Sequence, residues 1–135
     1  MLLACGFGIF VADQWSKRAI QAASGNRNLR WGRIVRFHFV AHRKRSFHTT
    51  STRAVMIATW TLAVGSSMIL YWTGYWFQTA ISLAGLGLAL GGAASNLLDV
   101  LHRRFVVDFI DLGWWPIFNL ADVAIVCGLA DALFS

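Results

Sequence analysis

The sequence predicts a membrane all-α bundle of four transmembrane helices with a small antiparallel β-sheet beside it. Of its 135 residues, 57% are hydrophobic and 13% are charged, which is too apolar for a soluble protein of this size. Seven Trp and ten Phe residues suit a bilayer protein that carries aromatic side chains at its interfaces. We expect a single domain over residues 1–135.

Four apolar stretches predict helices over residues of about 1–20, 54–72, 77–98 and 115–134. Asp13 interrupts the first stretch, whose twelve preceding residues cover about 18 Å of a core of about 30 Å. Either the true start therefore lies upstream, or the helix continues past Asp13 toward Ile20. The fourth helix opens with Pro116, which the first turn tolerates. The third contains small residues that let neighbouring helices approach closely: Gly85, Gly87, Ala89, Gly91 and Gly92.

Two short stretches, at residues 35–40 and 105–110, repeat large apolar side chains with a period of two, and the residues between them include Arg36, His38 and Asp108. This period is typical of a half-buried strand. The first stretch lies in a polar segment, about 27–48, between the first two helices. We therefore expect a small sheet at the membrane surface, which must pack against helices or lipid to be stable.

The acidic residues are concentrated in one part of the chain. All six are Asp, and four of them fall within residues 96–122. An ionisable side chain at membrane depth costs several kcal/mol, so its default interpretation is a functional site. Two carboxylates held together share one proton, which makes an acid–base pair possible.

Asparagines accompany these acids at helical spacing. Asn119 precedes Asp122 by three residues, and Asn96 precedes Asp99 by three, so each pair shares a helix face. The alternative for the two asparagines and Asp99 is hydrogen bonding between helices that only orients the bundle. For Asp108 the alternative is a strand carboxylate that faces water.

The basic residues suggest lipid contact more than nucleic-acid binding. The net charge is +6, but no nucleic-acid motif accompanies it, and attraction to anionic headgroups explains it better. Asp13 and Lys17 are four residues apart, as in a helical ion pair near the headgroups. The four histidines have no metal-ligand spacing, so we expect no metal and no cofactor.

Four motifs follow one another along the chain: Asp13-Gln14-Trp15-Ser16-Lys17, Gly91-Gly92-Ala93 followed by Asn96 and Asp99, Val106-Val107-Asp108-Phe109, and Phe118-Asn119-Leu120-Ala121-Asp122. Together they closely resemble lipoprotein signal peptidase, or signal peptidase II. Their order and spacing fit that family from Gly91 to Ile125, and the distant N-terminal motif adds to the match.

The resemblance implies a multi-pass aspartyl endopeptidase of the bacterial inner membrane with its sheet and active site near the extracytoplasmic face. It would cleave lipid-modified prolipoproteins just before the diacylglyceryl-Cys, in contact with membrane phospholipid and as a monomer. By resemblance Asp108 and Asp122 are the catalytic pair. The residues implied to order or support the site are Asn96, Asp99, Asn119, Asp13 and Lys17.

The chain departs from the family pattern near this site. The family usually has an Arg after the acid at Asp99, where this chain has Val100. The resemblance implies a lipid-phosphate contact for that Arg, so Arg103 or Arg104 is the candidate substitute. Arg104 itself replaces a usual Gly, and only Phe47 survives of the family's Asn-x-Gly-Ala-Ala-Phe stretch at residues 42–47.

Two questions stay open from the sequence. With four spans, all twelve Lys and Arg residues fall on the side of the predicted site, and the positive-inside rule would place that side in the cytoplasm, against the resemblance. The rewritten loop also leaves room for a catalytically inactive paralogue that binds lipidated segments or a membrane partner. A proton-coupled transporter would use buried Asp, but it would not require Asp108 on a strand.

Overall fold

A computed structural model describes residues 1–23, 29–31, 35–41, 50–74 and 77–134. In these residues the chain is mostly helical, with helices α1 (Leu2–Ala23), α2 (Thr50–Trp72), α3 (Ala80–Arg103) and α4 (Leu120–Phe134). Three strands form an antiparallel sheet in the order β1-β2-β3, with β1 at Leu29–Trp31, β2 at Val35–Ala41 and β3 at Val107–Asp111. Residues 42–47, where the family stretch is rewritten, lie outside the described residues.

The first helix continues through its acidic residue. α1 extends from Leu2 to Ala23. This agrees with the predicted alternative in which the helix continues past Asp13. The buried residues of α1 are three of its polar ones, Asp13, Gln14 and Lys17. Asp13 does not interrupt the helix because its carboxylate is paired inside the protein.

The third helix begins and ends later than predicted. Thr79 caps it, because Thr79 Oγ1 accepts from Ser82 N at 3.0 Å and Ser82 Oγ accepts from Thr79 N at 3.2 Å. This reciprocal capping box moves the start from residue 77 to Ala80. At the other end α3 continues five residues past the predicted limit of 98, since no helix breaker follows Asp99. It stops where Arg104 adopts a left-handed conformation with φ 65°, a usual way to end a helix.

The fourth helix also begins later, and the prediction of Pro116 in its first turn was wrong. Phe118 instead pairs with Ile110 of β3 in an isolated bridge, which keeps the chain extended up to residue 118. Asn119 then caps α4, which begins at Leu120. The second helix begins at Thr50, four residues before the predicted start.

Glycines set the distances between the helices, as predicted. A methyl group added at Gly85 would lie 2.6 Å from the Gly128 carbonyl oxygen, and one at Gly92 would lie 2.6 Å from that of Ala121. Both contacts join α3 to α4. On the opposite face of α3, Gly91 lies against the backbone of Gly6 in α1. α3 is therefore packed tightly between α1 and α4.

Polarity is inverted relative to a soluble protein. The outer face of α1 exposes Leu3, Phe7, Val11 and Trp15 at intervals of four residues, by 82%, 71%, 45% and 72%. Charged and amide side chains are instead among the most buried groups of the described residues. An exposed apolar surface of this extent marks contact with lipid or another partner.

Within the described residues, α3 is the one helix long and apolar enough to cross a bilayer, and α2 contains a shorter apolar stretch, Ile57–Trp72. The second half of α1 carries Asp13, Lys17 and Arg18. The 15 residues of α4 rise about 22 Å, less than a hydrocarbon core of about 30 Å. The four predicted spans therefore stay a prediction.

Candidate active site

The site lies where α3 ends, α4 begins and β3 passes beside them. Asn119 and Asp122 cap α4 reciprocally: Asn119 Oδ1 accepts from Asp122 N at 2.9 Å, and Asp122 Oδ2 accepts from Asn119 N at 3.1 Å. This is the capping-box arrangement with an amide and a carboxylate. It orders Asp122 at the positive end of the α4 dipole, where a negative charge is stabilised.

The two asparagine side chains join Asp108 to Asp122. Asn119 Nδ2 donates to Asp108 Oδ1 at 2.9 Å, and Asn96 Nδ2 donates to Asp122 Oδ1 at 2.8 Å. The amides also contact each other, with Asn119 Nδ2 3.0 Å from Asn96 Oδ1. The carboxylate of Asp108 on β3 and that of Asp122 on α4 are thus bound by the same pair of asparagine side chains, which we call the amide pair.

Strand β3 presents Asp108 by the alternation that the sequence predicted. Val107 and Phe109 on either side are buried, with 0% and 4% exposure, so the intervening side chain points to the other face. The Val107 carbonyl oxygen lies 3.3 Å from Asn119 Nδ2, and Val107 N donates to Asp99 Oδ2 at 3.3 Å. Backbone contacts therefore hold β3 against both α3 and the cap of α4.

A buried ionic cluster lies beneath the amide pair. Lys17 Nζ lies 2.5 Å from Asp13 Oδ2, 2.7 Å from Asp99 Oδ2 and 3.1 Å from Asn96 Oδ1. These three contacts use the three N–H groups of an ammonium. Lys17, Asp13 and Asp99 have 0% exposure, so the predicted Asp13–Lys17 pair is present, but inside the protein and not among headgroups.

The same cluster ties α1 to the first turn of α4. Asp13 Oδ1 accepts from Ala121 N at 2.9 Å, one of the N–H groups that a helix start leaves without a partner in the helix. The cluster thus positions the backbone beside Asp122 as well as the amide of Asn96.

Sequence reasoning missed Ser95 and Gln14 as members of this cluster. Ser95 Oγ donates to Asp13 Oδ2 at 2.7 Å, and Gln14 Nε2 lies 2.9 Å from both Ser95 Oγ and Asp99 Oδ1. Ser95 lies in a helix rich in small residues, so nothing in the sequence distinguishes it as a member of a polar cluster. Gln14 lies within the N-terminal motif Asp13-Gln14-Trp15-Ser16-Lys17, and this motif could have indicated its role.

The two arginines predicted as candidates for the lipid-phosphate contact, Arg103 and Arg104, have different environments. Arg103 pairs with Asp99 through Nη1, and its side chain is 21% exposed, so this guanidinium completes the ionic cluster. Arg104 is exposed at the end of α3. Val100 has 0% exposure, so the position where the family usually has Arg is part of the apolar core.

Asp111 and Asp131 lie away from the amide pair. Asp111 Oδ1 accepts from Gly113 N at 2.7 Å in the loop after β3, and Asp131 is exposed near the end of α4. No group of three His, Cys, Asp or Glu side chains in the described residues is arranged to hold a metal ion.

Fold and site together define a helical protein with a carboxylate pair at a helix end, and comparison with known proteins identifies its family. The family described as Signal peptidase (SPase) II matches residues 5–135. The chain therefore belongs to the signal peptidase II family, and the recognition made from the motifs is confirmed.

Curated relatives carry the name lipoprotein signal peptidase. That of Syntrophomonas wolfei is 42% identical over 92 residues, 67% of this chain and 60% of the relative. That of Rhodococcus jostii is 56% identical over 50 residues, 33% of this chain and 25% of the relative. That of Mycobacterium leprae is 40% identical over 79 residues, 52% of this chain and 39% of the relative. The matches thus span from a quarter to three-fifths of the relatives' length.

Two solved structures, both described as bacterial membrane enzymes solved by the in meso method, share the fold. One, at 2.3 Å resolution, has a TM-score of 0.72 and 19% identity, covering 98% of this chain and 85% of that chain. The other, at 1.9 Å resolution, has a TM-score of 0.69 and 18% identity, covering 98% of this chain and 90% of that chain.

Proposed function

We propose that the protein is a membrane aspartyl endopeptidase that removes signal peptides from lipid-modified prolipoproteins just before the diacylglyceryl-Cys. The family and the names of the curated relatives support the substrate class. The observation that carries the proposal is the joining of Asp108 and Asp122 through Asn96 and Asn119.

Exposure distinguishes this pair from the other aspartates of the site. Asp13 and Asp99 are fully buried and paired with cations, so neither is free to handle a proton or a substrate. Asp108 and Asp122 are half-buried, within reach of water. The hydrogen bonds to Asp122 come from neutral N–H donors, not from cations.

In the proposed reaction one aspartate, ionised, takes a proton from a water that attacks the scissile carbonyl. The other, protonated, donates to the carbonyl oxygen. Asn96 and Asn119 hold both carboxylates in place. Lys17 fixes the orientation of the Asn96 amide, because Nζ donates to its Oδ1 and leaves Nδ2 for Asp122.

The inverted polarity supports a four-helix membrane domain over residues 1–135. Apolar side chains on the outer faces of α1, α2 and α4 would contact lipid, while the ionic cluster faces the interior, as charged groups in membranes do. We call the end of the bundle where α3 ends and α4 begins the site end. α1 and α4 would cross the bilayer together with the sheet and loops at this site end. The helices would lie in the bacterial plasma membrane.

We place the site end on the extracytoplasmic side, where exported prolipoproteins are processed. Membrane phospholipid would surround a monomer. Arg104 is the better candidate for the lipid-phosphate contact that the family makes after Asp99, because Arg103 is engaged with Asp99.

The second candidate function is a catalytically inactive paralogue that binds lipidated segments or a membrane partner. The apolar burial of Val100, where the family has Arg, favours it. The carboxylates of Asp108 and Asp122 argue against it. An ionisable side chain in a membrane costs free energy, and a protein that only binds has no need of two of them.

One experiment separates the two. Purified protein in lipid nanodiscs is incubated with a diacylglyceryl prolipopeptide and with the same peptide lacking the lipid, and products are followed by gel shift and mass spectrometry. The proposal predicts cleavage of the lipidated peptide only, at the bond before the modified Cys. Binding of the lipidated peptide without any product would support the inactive paralogue.

A further inference from the structure

The loop between β3 and α4 carries two adjacent exposed tryptophans. Trp114 is 76% exposed and Trp115 is 56% exposed. Their rings contact each other edge to face, with centroids 5.6 Å apart. Two indoles held outward at one place form an apolar surface that marks an interaction site.

The loop is braced where it leaves the sheet and where it returns. Ile110 N donates to the Phe118 carbonyl at 2.8 Å, and Phe118 N donates to the Ile110 carbonyl at 3.1 Å. These bonds close residues 111–117 into a short loop. Since β3 carries Asp108 and α4 carries Asp122, this loop is the direct chain connection between the two carboxylates.

The distribution of other exposed side chains indicates what covers the tryptophans. Exposed aromatics lie at both ends of the helices: Tyr71 and Trp72, by 46% and 77%, at the end of α2, and Trp114 and Trp115 at the site end. Between these ends the exposed large side chains are apolar and lack an indole or phenol group, as with Phe7 of α1 at 71% and Leu62 of α2 at 72%. Trp and Tyr belts around an apolar band are the pattern of a bilayer, with indoles at the headgroup level.

Charge at the same end fits this occupant. Arg104, at the end of α3, is exposed, and cations near a membrane surface attract lipid phosphate. A protein partner would explain one apolar patch, but not a second aromatic group at the opposite end of the helices.

We propose that the Trp114–Trp115 loop inserts into the phospholipid headgroup layer and sets the depth of Asp108 and Asp122 relative to the bilayer surface. Insertion follows from the exposed surface alone. The depth-setting role rests on the proposed function, because a lipid-anchored substrate presents its scissile bond at a fixed depth.

Insertion is tested by spin labelling in vesicles of equal parts phosphatidylcholine and phosphatidylglycerol. A nitroxide is attached at Trp114→Cys, and separately at Trp115→Cys, with Cys5 and Cys127 replaced by Ala. Val126→Cys, on the lipid-facing side of α4 with 69% exposure, gives the hydrocarbon reference, and free nitroxide in buffer gives the aqueous one. We expect collision with a water-soluble nickel complex to fall several-fold below the aqueous value, and oxygen accessibility to approach that of Val126→Cys. Nickel accessibility equal to that of the free label at both positions would overturn insertion.

The depth-setting role is tested with the double variant Trp114→Ser, Trp115→Ser. Its control is Trp72→Ser at the opposite end, where the 77% exposure of Trp72 equals that of Trp114 within one per cent. We expect the double variant to raise KM for a lipidated prolipopeptide in vesicles several-fold while kcat is retained, with little change for the control. An unchanged KM would overturn the role. If wild-type protein cleaves no lipidated peptide, the proposed function fails, while the labelling result still decides insertion.

Discussion

Lys17 and Asp99 form an ion pair of 2.7 Å between α1 and α3, and neither side chain is exposed. Burying two charges costs more than their attraction returns unless further contacts satisfy them. Here Asp13, Asn96 and Arg103 supply those contacts. The pair thus holds α1 and α3 together beside the site. Because Lys17 also contacts Asn96, the pair orients the Asn96 amide toward Asp122.

Removing the central cation should destabilise the protein strongly. Lys17→Met leaves Asp13 and Asp99 buried beside each other with Arg103 as the one remaining cation of the cluster in the described residues. Breaking a buried pair in this way costs about 3–5 kcal/mol. Unfolding in detergent, followed by circular dichroism, should show the loss. Arg18→Met, at the exposed next residue, is the control, and an equal loss in both variants would contradict the cluster's role.

The approach of α3 to α4 should depend on Gly92. The added methyl group of Gly92→Ala would lie 2.6 Å from the Ala121 carbonyl oxygen. α4 must therefore move away from α3, and this movement separates Asp122 from Asn96. We expect lower stability and a lower rate of cleavage. Gly65→Ala, where nothing lies within 4 Å of the new methyl, should stabilise α2 by up to about 1 kcal/mol. Similar behaviour of the two variants would show that this contact does not position the site.

The left-handed end of α3 gives a prediction of the opposite sign. Arg104 has φ 65°, a conformation that favours Gly because a β-carbon is strained there. Arg104→Gly should therefore raise the free energy of unfolding by about 1 kcal/mol. Arg104→Ala removes the charge but keeps the β-carbon and should give no such gain. A gain in both variants would assign the effect to charge instead of backbone strain.

The sequence was most informative where chemistry and spacing coincide. The resemblance carried by the motifs of residues 91–122 implied that Asn96 and Asn119 order a site at Asp108 and Asp122, and their amides do contact these carboxylates. The alternation around Asp108 predicted its presentation by β3. Glycine spacing in α3 predicted the tight helix contacts. These features follow from local patterns that few other arrangements satisfy.

Other features depended on tertiary contacts that no local pattern shows. Lys17 looked like a surface partner of Asp13, because its second carboxylate, Asp99, lies on another helix. The start of α4 shifted to Leu120 because Phe118 bonds to Ile110. Arg103 is different, because its pairing with Asp99 is a local i, i+4 contact within α3 that the sequence spacing could have shown.

Orientation in the membrane is tested by labelling single cysteines in intact cells, in a background without Cys5 and Cys127. His102→Cys reports on the site end, and Thr73→Cys reports on the opposite end; both positions are exposed. The proposed orientation predicts that a membrane-impermeant maleimide reaches residue 102 and not residue 73. The reverse pattern would agree with the positive-inside rule and would exclude exported lipoproteins as substrates.

The most direct test of the central claim is cleavage of a diacylglyceryl prolipopeptide by the purified variants Asp108→Asn and Asp122→Asn, read by gel shift. Because general acid–base catalysis requires both carboxyl groups, each variant should lose about 100-fold or more of the wild-type rate. The control Asp131→Asn, on an exposed carboxylate of α4, should cleave as the wild type does, and all three variants should be folded at the assay temperature by circular dichroism. Near-wild-type cleavage by either Asp108→Asn or Asp122→Asn would contradict the aspartyl pair.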